Sequence, residues 1–264
     1  MAFYRAEPAM QEHLVGLIDH FADQGRPGLH EQIAVNWVRY DQANLSTGSG
    51  FGAAWADQKP LYPASVVKLV YAVAVEAWLQ KGLLLETAEL RRAVNDMIAI
   101  SSNDATGLVV DCLTGTSSGP DLQGEAWVSW QRQRQLVNEW LSDFGWGEFE
   151  RVNCCQKTWG DGPYGREQRF YGENNCNRNA LTTASVSRLL EAVMTDGLLS
   201  PPACHRLRSA LARSLDQGER DADPENQVDG FLGEGLPANS RLWSKAGWMS
   251  QARHDAAWWS EPEG

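Results

Sequence analysis

Residues 65–82 read as a helix that is apolar around most of its girth, carrying Val66, Leu69, Val70, Val73, Ala74, Ala77 and Trp78. A helix with no polar face has to be central, with other elements packed on several sides. Lys81-Gly82 supply a cation and a cap glycine at its end. One lysine, Lys68, interrupts the apolar run near its start, and burying an unpaired cation there is costly. Ser65 and Lys68 are three apart and share a face of the helix. A serine hydroxyl is a poor nucleophile without a neighbouring base. A lysine amine becomes that base when burial or a second cation lowers its pKa. The tetrad Ser65-Val66-Val67-Lys68 therefore proposes attack by Ser65 on a carbonyl, giving an acyl-enzyme.

The flanking patterns say what surrounds that helix. Met10, Leu14, Leu17, Ile18 and Phe21 have the spacing of an amphipathic helix. Residues 33–40 and 51–56 read as two strands joined through the polar turn 41–50. Helices are predicted over 86–100, 104–112, 124–144, from Thr182 or Thr183 to about 195, and over 201–215. The stretch 144–179 is long, irregular and rich in Gly, Asn and aromatics, as functional or mobile loops are. An acidic, glycine-rich loop over 217–237 leads to two strands at 241–249 and 254–259. The fold class expected is α+β: an antiparallel sheet formed by the chain termini, flanked by helices, with a mainly helical subdomain inserted. We expect one domain over 1–264, with 1–62 and 217–264 as the sheet subdomain and 63–216 as the helical one.

Composition narrows the partners. The 264 residues carry a formal net charge of −11, so nucleic acid and anionic membrane are poor candidates. Five cysteines, two of them adjacent at Cys154-Cys155, cannot make a fully paired framework. The reading preferred for them is reduced thiols in a reducing compartment. His13, His20, His30, His205 and His254 have no metal-ligand spacing. The first residues lack a secretory pattern and no run is long enough to span a membrane. A cytoplasmic protein is expected as the sequence is written, or a periplasmic one if the N-terminus is incomplete.

Two further motifs give the tetrad company. Ser101-Ser102-Asn103 follows a predicted helix, and Lys245-Ala246-Gly247 lies on a predicted strand. With S-x-x-K first, S-x-N second and K-x-G third, the chain resembles the penicillin-recognising serine hydrolases. Its closest likeness is to the class A β-lactamases. That resemblance implies Ser65 as nucleophile and Lys68 as its general base or proton relay. It implies that Ser101 passes a proton to the leaving nitrogen and that Asn103 bonds the substrate's amide side chain. Lys245 would bind a substrate carboxylate and polarise Ser101. The backbone N–H groups of Ser65 and of Trp248, just past Gly247, would form the oxyanion hole. Glu173, in Glu173-Asn174-Asn175-Cys176-Asn177, would position the water that releases the acyl group, the other reading being a solvated loop glutamate. No metal and no cofactor are implied.

The chain departs from the family pattern at Ser102, where Asp is usual, and at Ala246, where a hydroxyl residue is usual. The resemblance also implies a central strand and a final helix after residues 254–259. Their apparent absence suggests an incomplete product, or a second chain completing the sheet. The substrate expected is a β-lactam or a peptidoglycan-like amide carrying a carboxylate. A D,D-peptidase, an esterase, a glutaminase and a non-catalytic or degenerate penicillin-binding-like sensor remain as alternatives.

Overall fold

The computed structural model describes residues 3–261. The predicted helix-strand-strand beginning is present as α1 (Pro8–Asp23), a short α2 (Leu29–Gln32), β2 (Val35–Arg39) and β3 (Gly50–Trp55). A brief strand not predicted from sequence, β1 (Tyr4–Ala6), runs parallel to β3, while β2 pairs with it antiparallel, Val35 opposite Trp55. Met10, Leu14 and Ile18 of α1 pack on Ala53 of this sheet.

The apolar helix is α3 (Val67–Gln80), and Val67 to Trp78 are all buried. Around it stand α4 (Ala88–Ala99) and α5 (Asn103–Thr114), then α6 (Gly124–Arg134) and α7 (Leu136–Ser142). After the loops come α8 (Gly165–Tyr171), α9 (Thr183–Met194) and α10 (Pro201–Leu211). Met97, Ile98, Val109, Leu141, Leu189 and Leu207 meet α3 in one continuous core. Each side chain of this size contributes about 1.5–3 kcal/mol by leaving water. One carboxylate is buried in α3, Glu76. It is held by Arg91 and by Arg206 at 2.6 Å.

Starts and stops follow local chemistry. Thr87 caps α4, and Thr182 with Ser185 forms a reciprocal capping box on α9. The single helix expected over 124–144 is broken at Gln135 into α6 and α7. The break lets the halves bury different faces: Trp130 joins Cys155 and Phe170, while Val137, Trp140 and Leu141 enter the main core. The irregular stretch 144–179 contains α8, anchored where Arg134 meets Glu167 at 2.9 Å. All five cysteines are free.

The second sheet starts at β4 (Ala212–Arg213), ahead of the boundary expected at 217. A short α11 (Gln217–Ala222) interrupts the expected loop before β5 (Arg241–Met249) and β6 (Ala252–Ser260). β5 lies between β4 and β6, antiparallel to both, with Lys245 opposite Ala256.

The α+β class and the inserted helices stand as expected, but the terminal strands divide into two three-stranded sheets, β1-β3-β2 and β4-β5-β6. Their facing outer strands, β2 and β6, both pack on α9. A trough of about 630 Å³ lies between them, lined by Val35, Asn36, Leu190, His254 and Asp255. Tyr40 and Trp258 stack at 4.6 Å between the two strands' ends. Asn36 Oδ1, His254 Nε2 and Asp255 Oδ1 are buried without a hydrogen-bond partner. No ladder joins β2 to β6, which is why the sheet is not continuous.

Candidate active site

Ser65 lies in a 3-10 turn, Ala64–Val66, which feeds directly into α3. Ala64 holds a left-handed φ of 47°, a conformation that costs a non-glycine residue on the order of 1–3 kcal/mol and recurs at functional sites. Strand β5 runs against this turn. A Cβ at Gly247 would sit 2.8 Å from Pro63 O, Ser65 N and Val66 N, so only glycine fits there. The tetrad and the third motif thus meet backbone to backbone.

Lys68 is completely buried, and its amine points across to the second motif. Nζ donates to Ser101 O at 2.5 Å, Ser101 Oγ at 3.1 Å and Asn103 Oδ1 at 2.8 Å. Among the described residues the Ser65 hydroxyl makes no hydrogen bond, so the lysine is shared out to Ser101 and Asn103. Ser101 has a left-handed φ of 57°. That turn presents both its carbonyl and its hydroxyl to the buried amine. Ser102, the departure from the family's Asp, is the N-cap of α5 and accepts from Ala105 N at 3.1 Å. Serine serves this capping role as well as aspartate does.

Lys245 is also completely buried. Its amine donates to the same Ser101 Oγ at 3.1 Å, to Ala246 O at 2.7 Å and to Gln227 Oε1. The Ser101 hydroxyl is therefore held between two lysines. Gln227 was not found from sequence. It is fixed by donating to Ile98 O at 3.1 Å and Ala99 O at 2.8 Å, while its Oε1 also accepts from Ala246 N at 3.2 Å. Arg213, likewise unforeseen, donates to Ile98 O at 2.9 Å and Ser244 O at 3.0 Å, tying the motif strand to the end of α4. Neither residue belongs to a motif: one lies in the acidic loop and the other just past α10, so spacing carried no signal for them.

The electrostatics are those of cations without anions. Burial pushes the Lys68 amine down to about 7. Lys245 is driven well below its ordinary value by burial and then by the Lys68 and Arg213 charges. Burial brings Arg213 down to about 10. Asp255, opposite Ala246 on β6, is pushed up to about 6 by burial despite the nearby Lys245 and Arg213. No carboxylate pairs with the Lys68 or Lys245 amine among the described residues.

The remaining expected residues lie as follows. Trp248 continues β5 beyond Gly247, with its ring tilted against Phe231 at 5.6 Å. Asn103 is exposed at the first turn of α5, next to the Lys68 amine. Glu173 stands apart, exposed on the 3-10 turn Glu173–Asn175, with no hydrogen bond to Lys68, Ser101 or Asn103. The structure therefore joins Ser65, Lys68, Ser101, Asn103, Lys245 and Gly247 into one cluster and leaves Glu173 outside its hydrogen bonds.

The sequence profile of the beta-lactamase enzyme family matches residues 85–264, a stretch that contains the second and third motifs and begins after Lys68. Among curated proteins, none matches this sequence. Several solved structures share the fold. A W229D mutant of the class A beta-lactamase of the last common ancestor of Gram-negative bacteria aligns with a TM-score of 0.59 at 19% identity. That alignment covers 97% of this chain and 85% of the other. The beta-lactamase from Sphaerobacter thermophilus aligns with a TM-score of 0.57 at 16% identity, over 94% and 84%. The structure described as PBP-A aligns with a TM-score of 0.55 at 14% identity, over 98% and 89%.

Proposed function

Because this chain belongs to the beta-lactamase enzyme family, we propose that it is a serine hydrolase of class A type that acylates Ser65. Its substrate is an amide bearing a carboxylate, such as a β-lactam. The observation that carries this reading is the Ser101 hydroxyl, 3.1 Å from both the Lys68 and Lys245 amines. An ammonium at Lys68 fills all its bonds with three acceptors. The neutral amine has a lone pair free to accept from a hydroxyl. Near pH 7 much of Lys68 is in that neutral form, which suits a general base.

In the reaction proposed, Ser65 Oγ attacks the carbonyl carbon while Lys68 takes its proton. The tetrahedral oxyanion accepts from the N–H groups of Ser65 and Trp248. As the C–N bond breaks, the proton passes through Ser101 Oγ to the leaving nitrogen, and Ser65 holds the acyl group as an ester. Lys245 keeps the Ser101 hydroxyl polarised and attracts the substrate carboxylate. Water then cleaves the ester. Incubation with a chromogenic cephalosporin tests this: colour develops, and intact-protein mass spectrometry finds an adduct that Ser65→Ala abolishes. No colour and no adduct at Ser65 would sink the proposal.

A second reading, a penicillin-binding or D,D-peptidase-like protein that releases its acyl group slowly, is favoured by one observation. The only carboxylate expected to aid release, Glu173, sits on an exposed turn outside the site's hydrogen bonds. An adduct that persists for hours without turnover would support this reading over the first.

A further inference from the structure

From the groups that line it, we infer that the cleft running along α5 away from Asn103 is part of the substrate site and selects an acyl chain ending in an ammonium. The inference rests on acyl transfer at Ser65 and adds the class of acyl group transferred. The cleft holds about 640 Å³. It begins at Asn103, whose Oδ1 is bonded to Lys68, so it opens from the reacting centre. Asp104 and Asp111 line it from one face of α5. They are two helical turns apart, and Asp111 lies about 12 Å along the axis from Asn103 at roughly 1.5 Å per residue. A ligand reaching that depth is elongated.

The far end of the cleft is rich in acceptors. Lys157, at its floor, is committed to Asp111 Oδ2 and Ser118 Oγ, both at 2.7 Å, with Glu167 at 3.7 Å. Behind it Arg134 is committed to Glu167 at 2.9 Å. Each cation thus has a carboxylate partner, with Arg134 Nη2 and Glu167 Oε2 left buried and unbonded. Asp104, Asp111 and Glu167 stand against Lys157 and Arg134, and Arg166, whose Nε donates to Pro120 O at 2.8 Å, adds a third cation beside the cleft wall. Asp111 Oδ1 and Thr158 Oγ1 are buried and have no partner. Thr158 is only 7% exposed and lines the cleft, so its hydroxyl is a built feature of the wall. A buried acceptor left unmade is expensive, and an ammonium donor relieves it. Trp159 and Tyr164, set edge to face at 6.3 Å, supply π faces on which a cation rests well. Trp159 Nε1 is a buried donor without a partner and suits an amide carbonyl within the chain. The ligand described by these groups is peptide-like, with an amide carbonyl along its length and an ammonium at its end.

Three cephalosporins test this. They share one nucleus and one peptide-like acyl chain spanning about 12 Å, ending in an ammonium, a methyl group or a carboxylate. Acylation of Ser65 is timed by intact-protein mass spectrometry. The ammonium compound should acylate about tenfold faster than the methyl compound, as one charge-assisted bond implies, and the carboxylate compound should be the slowest. In Asp104→Asn/Asp111→Asn the ammonium-to-methyl ratio should collapse towards one. Asp104→Asn alone, at an exposed position, should lower that ratio severalfold and serves if the double variant does not fold. A ratio near one in the unaltered protein, or a ratio that survives these substitutions, overturns the inference while leaving acyl transfer intact. Absence of an adduct with all three compounds overturns acyl transfer and the inference with it.

Discussion

Two clusters of buried charge lie at the two ends of α5, one at Asn103 and one at Asp111, and solve the same problem in opposite ways. Around Arg134, Lys157, Asp111 and Glu167, each cation has a carboxylate within salt-bridge distance. Around Lys68, Lys245 and Arg213, backbone carbonyls, the Ser101 hydroxyl and the amide oxygens of Asn103 and Gln227 are the acceptors, Arg213 Nε is left without one, and no carboxylate completes a pair among the described residues. The first arrangement fixes position. The second leaves Lys68 with a depressed affinity for its proton, down to about 7. Pairing builds structure, whereas withholding the anion makes a lysine chemically useful.

The sharpest way to break this comparison is to remove a cation from each cluster. Lys68→Met should lower the rate of Ser65 acylation by about 10²–10⁴-fold, the usual range for a general base, without lowering the melting temperature. Arg134→Met should lower stability by about 3–5 kcal/mol in urea unfolding, because it takes the nearest cation from the fully buried Glu167 carboxylate and leaves only Lys157 at 3.7 Å. If the two effects were exchanged, the division of labour would be wrong.

A proton titration distinguishes the clusters next. Acylation should rise about tenfold per pH unit below the Lys68 pKa of about 7 and flatten above it, because the reactive form is the free amine. The stability consequence has a definite sign. With the folded pKa near 7 and the unfolded one at 10.5, the unfolded chain binds more protons between those values. Stability therefore increases as pH rises through that window, and urea midpoints measured at pH 7 and 9.5 should move up in the unaltered protein but less in Lys68→Met.

Gly247→Ala should cost about 1–3 kcal/mol in overpacking and slow acylation, since its Cβ would strike the nucleophile turn. Thermal melts and adduct kinetics check both halves. The smallest effect is expected from Glu173→Gln: acylation and release should be unchanged in adduct kinetics, because that carboxylate joins neither cluster. A clear fall in release rate would bring an anion back into the lysine site.

Much of the site was legible as spacing. Ser65 and Lys68 lie where the tetrad enters α3, and Asn103 starts α5 behind its cap Ser102, as the capping chemistry of this segment suggests. Lys245 and Gly247 lie on the strand read over 241–249. What was hidden depends on tertiary contact alone. Gln227 and Arg213 reach the site from segments without periodic pattern, and their importance lies in which carbonyls they satisfy. The break at Gln135 was masked by a continuous helical pattern, because periodicity does not say that two halves will bury different faces. The division of the sheet is also a matter of pairing: each strand was visible locally, but neighbours in a sheet are chosen over long distances.

The contacts that assemble the lysine site are among the most distant in the chain. Lys245 meets Ser101 across 144 residues, and Gln227 reaches Ala99 across 128. Closing such separations is entropically slow, and topologies that depend on them fold late. The nucleophile turn and its lysine can form within one local stretch, but the second lysine arrives only when the last strands have found the middle of the chain. Covalent capture of Ser65 is thus a clock for folding as well as an activity assay: in a refolding experiment, competence to be acylated should appear after helical signal has recovered.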